Sequence, residues 1–283
     1  MIFDILKAIL LGIVQGVTEW LPVSSTGHLL LIEEWFPFSS AVSEPVKNLF
    51  TVVIQLGSIL AVLVLYWRRL NPFPRRLPLP ERRRMFGLWG RIIVAAIPAA
   101  IAGLVFNDFI KEVAYNNRAT KFFVIAGALV VYGVLFIVIE LLRRGKKPRV
   151  DRAEDLSLRD AFGVGCFQAL ALIPGTSRSG STILGASLLG VERTAGAEFS
   201  FFLAVPMMFG ASGLDLVRYV MDFGLSFSLT EVIVLLVGTV VSFFISLAVI
   251  RFLVDFVRKH TFAPFGVYRI LLAAAVLAYY FLA

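Results

Sequence analysis

Three ionisable residues sit where an apolar chain has least reason to keep them. Glu19 and His28 lie in QGVTEWLPVSSTGH (15–28), and Arg178 lies in QALALIPGTSRSGST (168–182). At membrane depth each would cost about 2.5–3.5 kcal/mol on insertion scales, so their retention points to function. Hydroxyls and glycines surround them: Ser24, Ser25, Thr26 and Gly27 after Pro22, and Thr176, Ser177, Ser179, Gly180 and Thr182 after Pro174-Gly175. Hydroxyl donors and small residues let a backbone close on an anion, and an arginine fork suits bidentate contact with phosphate. Gln15 and Glu19, four apart, share one helix face, and Glu19 is a candidate ligand for a divalent cation bridging phosphate oxygens, or a base. His28 is able to protonate a leaving oxygen or to attack phosphorus itself. These are the parts of a phosphoryl-transfer site, where positioning and charge neutralisation do most of the catalysis.

The elements that must hold these residues are set by composition. Of the 283 residues 59% are hydrophobic, and the mean hydropathy is +0.86. Runs of roughly twenty apolar residues follow one another, which predicts an all-α integral membrane protein with several passes. The net charge of +8 does not point to nucleic acid, because the basic residues sit in short loops beside apolar runs rather than along one face. The single cysteine, Cys166, excludes an internal disulfide and a cysteine metal cluster, and reads as a small apolar helix residue. The early apolar run Ala8–Val14 is preceded by Asp4, followed by Glu19 and lacks a clear cleavage site, so no cleaved signal peptide is expected.

Residues 1–35 are interrupted at Pro22 and Gly27, leaving two segments too short to cross about 30 Å of hydrocarbon with ease. They read as a broken helical hairpin that enters and returns, tolerated only beside protein or a cavity. Spans follow at Asn48–Tyr66, Leu88–Phe106 and Thr120–Glu140. The loop RRLNPFPRRLPLPERRR (68–84) and RRGKKPR (143–149) are expected inside, and Asn107–Lys121 outside. A second broken segment, Leu158–Leu189, precedes spans near Gly196–Gly213, Leu229–Ile250 and Pro264–Leu282. An outer loop is expected to carry Asp215, Arg218 and Asp222, and an inner one Arg251, Arg258, Lys259 and His260.

Each half, about 1–142 and 158–283 of one membrane domain, is thus a broken re-entrant helical hairpin plus three transmembrane helices. Three being odd, the second half enters upside down, an inverted-topology repeat. Gly12-x-x-Gln15 with the Pro22 to Gly27 break corresponds to Gly165-x-x-Gln168 with the Pro174 to Gly180 break. Breaks entering from opposite faces meet near the midplane, and each starts a half-helix whose free N–H groups and positive dipole end attract phosphate. Other polar residues have plainer readings: Glu198 as a helix cap, Asn48, Gln55 and Gln168 as interhelical hydrogen-bond partners, and Asp215 and Arg218 as solvated or headgroup-facing charges. Broken helices in an inverted repeat also suit a transporter or flippase of a phosphorylated lipid or anion.

At these residues the sequence resembles the bacterial undecaprenyl-diphosphatase family, known also for bacitracin resistance, over essentially its whole length. One signature is carried by Gln15, Glu19 and Leu21–His28, the other by Pro174–Thr182. The resemblance implies removal of the terminal phosphate from undecaprenyl diphosphate, a polyprenyl diphosphate lipid, to recycle the carrier for peptidoglycan synthesis. It implies a divalent cation, Mg2+ or Ca2+, an inner-membrane location and an active site facing the periplasm, with bacitracin acting on the substrate. On matching positions it points to Glu19, Ser25, His28 and Arg178 as catalytic, supported by Gln15, Thr26, Ser177 and Thr182, with Ser25 and His28 both candidates for the nucleophile. Position 15 is Gln where some relatives carry Glu. A second lipid phosphatase pattern, PSGH with a distal SR followed by His and Asp, is not met here. A homodimer is an admissible assembly.

Overall fold

The computed structural model describes residues 1–73 and 78–282, apart from the side chains of Asn107 and Lys111. In chain order the helices are α1 (Ile2–Thr18), α2 (Ser25–Trp35), α3 (Glu44–Leu65), α4 (Trp67–Leu70), α5 (Leu79–Ala114), α6 (Arg118–Arg143), α7 (Leu158–Ala169), α8 (Arg178–Leu188), α9 (Arg193–Phe223), α10 (Leu229–Lys259) and α11 (Ala263–Leu282). Six of them, α3, α5, α6, α9, α10 and α11, are long and apolar enough to cross a membrane, which makes this an all-α, multi-pass membrane protein. Both expected interruptions are present, one between α1 and α2 and one between α7 and α8.

Apolar contact alone drives little association between helices in lipid, so small residues that let backbones approach matter most. The pairings α1 on α10, α3 on α10, α6 on α11 and α5 on α7 show this. Where α6 crosses α11, a Cβ on Gly133 would lie 2.8 Å from the Gly266 carbonyl, and one on Gly266 would lie 2.5 Å from the Gly133 carbonyl. Between α3 and α10 the Ser58 and Ser242 hydroxyls meet at 2.7 Å, and Ser246 donates to Ser58 at 3.1 Å. Trp20, in the first break, is buried with Phe199, Phe201 and Phe202 of α9, so the core lies against the interruption.

The helices run further than the apolar stretches that announced them. α3 begins at Glu44, with Pro45 in its first turn. α5 continues to Ala114, so Asp108 and Glu112 lie on a helix and not in the loop expected at Asn107–Lys121. Asp215, Arg218 and Asp222 lie in the last turns of α9, and Arg251, Arg258 and Lys259 in α10, where loops were expected. Charged residues end the lipid-facing stretch without ending the helix, because a charge stops burial in lipid but not backbone hydrogen bonding, and no Gly or Pro intervenes before these ends. Residues 74–77 of the arginine-rich loop lie outside the described residues.

Glu198 is not the cap expected of it. Glu192 caps α9, accepting from the Ala195 N–H at 2.9 Å, whereas Glu198 accepts from Arg69 Nη1 at 2.7 Å. Arg69 also donates to Glu154, tying α4, the turn at 153–155 and α9 together. Burial pushes the Glu154 carboxyl up, but hydrogen bonds and the Arg69 charge outweigh it and hold the pKa below its ordinary value.

Candidate active site

The two breaks are built alike. α1 ends at Thr18, with Glu19 as its C-cap, and α2 restarts after the N-cap Ser24. α8 starts after the N-cap Ser177. Ser24 and Ser177, at φ 76° and 73°, are the only non-glycine residues with positive φ among the described residues. Such backbone costs about 1–3 kcal/mol and persists only where its surroundings over-determine it. Each serine accepts from the N–H three residues on, Gly27 at 3.4 Å and Gly180 at 3.1 Å. Capping thus satisfies one N–H of each first turn and turns both helix starts toward one place.

That place is a cavity of about 180 Å³. Glu19, Ser25 and Thr26 line it from the first break and Ser177 and Arg178 from the second, with Gln55 of α3. Ala171, Ile173 and Met208 supply its apolar wall. The residues are 159 apart in sequence, yet Arg178 Nη2 donates to Glu19 Oε1 at 2.9 Å, with side chains only 15% and 7% exposed. Gln15 Nε2 donates to the other carboxylate oxygen at 3.0 Å, and Arg178 Nη1 donates to the Ser200 carbonyl at 2.8 Å. The guanidinium lies 5.4 Å from the centre of the Trp20 ring, a cation–π distance. Every one of these contacts fixes the arginine fork at the mouth of both helix N-termini.

The remaining expected residues divide by position. His28 does not line the cavity. Its Nδ1–H donates to the Ser24 carbonyl at 2.7 Å, so in the neutral ring Nε2 is the acceptor, and it meets the Tyr268 hydroxyl at 2.6 Å under a stacked ring. Ser179 donates to the Leu21 carbonyl at 3.2 Å, binding the second break to the first. Thr182 bonds back to the Arg178 carbonyl and meets Ser200 Oγ at 2.5 Å, behind the arginine. Thr176 is buried and does not line the cavity.

Of the glycines expected to admit a ligand, Gly175 instead admits protein, whereas a side chain at Gly27 would find ordinary van der Waals contact. A Cβ on Gly27 would meet Leu129 and Leu272 at 3.4 Å, and one on Gly175 would lie 2.6 Å from the Ile125 carbonyl. With φ at +89°, Gly175 lets the second break press onto α6.

Sequence reasoning read Gln55 only as an interhelical hydrogen-bond partner, whereas it lines the cavity, and passed over Ser200, Tyr268 and Arg269. For Arg269 a signal was present, a lone arginine within the last apolar span, the same signal that singled out Arg178. Ser200 and Tyr268 act through partners far along the chain and carry no local pattern.

For a divalent cation the donor chemistry fits. Glu19 is a carboxylate with capacity beyond its two bonds, and Gln15 Oε1, four residues away, is buried without a partner among the described residues. Among the described residues no group of three or more His, Cys, Asp or Glu forms a self-sufficient metal cage, so an ion here would draw further ligands from a phosphate and from water, as Mg2+ usually does.

A family model described as "Bacitracin resistance protein BacA" matches residues 8–275. The chain is 47% identical over 278 residues to the undecaprenyl-diphosphatase of Desulfitobacterium hafniense, covering 98% of this chain and 96% of that protein. It is 47% identical over 277 residues to the undecaprenyl-diphosphatase of Acetivibrio thermocellus, with 98% of each covered. To that of Enterococcus faecalis it is 44% identical over 274 residues, 97% of this chain and 96% of that one. With the family match spanning both breaks and the likeness to these relatives running nearly end to end, this chain belongs to the bacitracin resistance protein BacA family.

Proposed function

We propose that the protein removes the terminal phosphate of undecaprenyl diphosphate, returning undecaprenyl phosphate to the carrier cycle of peptidoglycan synthesis. The observation that carries this reading is the Glu19–Arg178 pair, held in a cavity onto which the N-terminal residues of both α2 and α8 face. Helix N-termini attract phosphate, and Arg178 Nε has no partner among the described residues, so the fork has a donor to give.

Ser25 lines the cavity, whereas both nitrogens of His28 are engaged outside its lining, which favours Ser25 as nucleophile. Its Oγ–P bond forms as the bridging P–O bond breaks, undecaprenyl phosphate leaves, and water then hydrolyses the phosphoserine. His28, one turn further along α2, takes the Ser25 proton on Nε2 after exchanging its Tyr268 partner, and the Ser24 carbonyl holds the required tautomer. When bound, Mg2+ or Ca2+ neutralises diphosphate charge. Glu19 and Gln15 are the residues that would hold it.

The architecture is read as an inverted repeat of halves 1–142 and 158–283. Supporting it are the same order of two helices about a break and three long helices in each half once the four-residue α4 is set aside, matching serine N-caps, and the reciprocal Gly133–Gly266 contact of α6 with α11. α2, α7 and α8, at 11–12 residues, reach only about 16–18 Å, which suits re-entrant pieces. The basic stretches 68–84 and 143–149 favour a cytoplasmic side there, and the family resemblance favours a phosphate site open to the periplasmic side of the bacterial inner membrane. Tags at both termini should therefore be labelled by an impermeant reagent in intact spheroplasts. Labelling only after disruption reverses the orientation.

The purified protein with an isoprenyl diphosphate and a divalent cation should release inorganic phosphate, with chelator abolishing the release. No release from a monodisperse preparation overturns the assignment. The paired breaks also favour lipid translocation, and proteoliposomes moving a labelled phospholipid without phosphate release would establish that second reading.

A further inference from the structure

Arg269 of α11 is wholly buried within a membrane span, and its guanidinium forms no ion pair among the described residues. Its donors go to main-chain carbonyls of both breaks: Nη1 to Pro22 at 3.2 Å, and Nη2 to Gly175 at 2.8 Å and Thr176 at 2.9 Å. Pro22 and Gly175 occupy the same place in their breaks, each two residues before a positive-φ N-cap serine. The Tyr132 ring lies 5.4 Å away, and Gly180 leaves the room the fork needs, since a Cβ there would lie 3.0 Å from Nη1. A buried arginine ordinarily sits with a carboxylate, because carbonyl dipoles offset only part of its charge. Here it lies beside two helix N-termini, which are themselves positive.

We propose that Arg269 is a positioning residue of the phosphate site: one guanidinium ties both breaks, sets the separation of the α2 and α8 N-termini, and leaves the resting site a positive charge that the substrate's diphosphate neutralises. The inference rests on the phosphatase reading above. Carbonyls accept from Arg269 on one side of each break, and the N–H groups of the helix starts remain for phosphate on the other. The planar fork is what permits one side chain to reach two separate loops, which a lysine point charge does not do.

The test uses full-length protein in detergent, with inorganic diphosphate as the binding probe, read by the shift in thermal unfolding, and phosphate release from a short isoprenyl diphosphate as the turnover assay. Arg269→Gln is expected to weaken diphosphate binding about tenfold or more and to lower kcat about tenfold or more. Arg269→Lys should recover diphosphate affinity to within about threefold while kcat stays low, because the charge is kept and the two-loop bridge is lost. A purely structural role moves neither quantity in the protein that remains folded. Wild-type diphosphate affinity and kcat in folded Arg269→Gln, or equal recovery of both by Arg269→Lys, overturns the proposal. Should both variants fail to fold, Gly180→Ala displaces the fork without removing it. Lower kcat is expected there, and wild-type affinity and kcat overturn the proposal. A wild-type protein that binds diphosphate in an Arg269-dependent way yet releases no phosphate would sink the phosphatase assignment and leave the positioning role standing.

Discussion

Arg178→Ala is expected to lower kcat about a hundred- to a thousandfold, the range seen when one charge-stabilising donor is removed from a preorganised site, and to raise KM as well. Both parameters should move, because diphosphate carries its charge in the ground state and in the transition state alike. The neighbours of the arginine argue for the large value. Glu19 accepts from Nη2, the Ser200 carbonyl accepts from Nη1, Trp20 lies under the guanidinium plane, and Arg178 is the one cationic side chain among the described residues lining the cavity. Breaking a buried ion pair typically costs about 3–5 kcal/mol in stability, because the surviving charge is left uncompensated. The activity loss must therefore be read on protein shown to be folded by its thermal unfolding. Arg178→Lys separates the contributions: a retained charge should keep KM near wild type while kcat falls about tenfold or more for want of the fork. Full activity in folded Arg178→Ala would remove the pair from the mechanism.

Which features could be read before any coordinates follows from how far each signal reaches along the chain. The interruptions at Pro22 and at Pro174-Gly175 are local, because a missing N–H and an unusual φ are written at the residues that cause them. Glu19 and Arg178 stand out by the cost of a charge in an apolar run, and their pairing followed from reading the two breaks as equivalents. Helix ends were legible to within a few residues only where a cap or breaker marked them. The Ser228 capping box gives α10 the start expected at Leu229, whereas α5 and α9 overran their apolar stretches. The purpose of Gly175 was misjudged for a different reason. Composition shows that a close approach occurs there but not what approaches, and the answer, the α6 backbone at Ile125, lies on a helix of the other half of the chain. Tyr268 and Arg269 share that difficulty, since their meaning depends on which side of α11 meets the breaks.

The same helix geometry yields the second large effect. Ser25→Ala is expected to reduce turnover about a thousandfold or more with KM nearly unchanged, since the hydroxyl bonds to phosphorus only along the reaction path. His28→Ala should lower kcat about a hundred- to ten-thousandfold, the usual contribution of a positioned acid or base, again with little change in KM. The two differ in what they leave behind. With His28 removed, the slower Ser25 attack and the slower hydrolysis both persist, so protein supplied with terminally labelled diphosphate and quenched in detergent at neutral pH, which spares both phosphoserine and phosphohistidine, should carry label at Ser25. With Ser25 removed, no label should be trapped. Tyr268→Phe tests the tether between them. Losing the hydroxyl that meets Nε2 at 2.6 Å frees the imidazole to turn toward the cavity, so kcat should change by less than about tenfold, far less than with loss of the ring itself. Activity within tenfold of wild type in Ser25→Ala, or label recovered on His28, would transfer the attack to the imidazole. That outcome would require the ring to leave Tyr268 and enter the space that Ser25 and Thr26 now line.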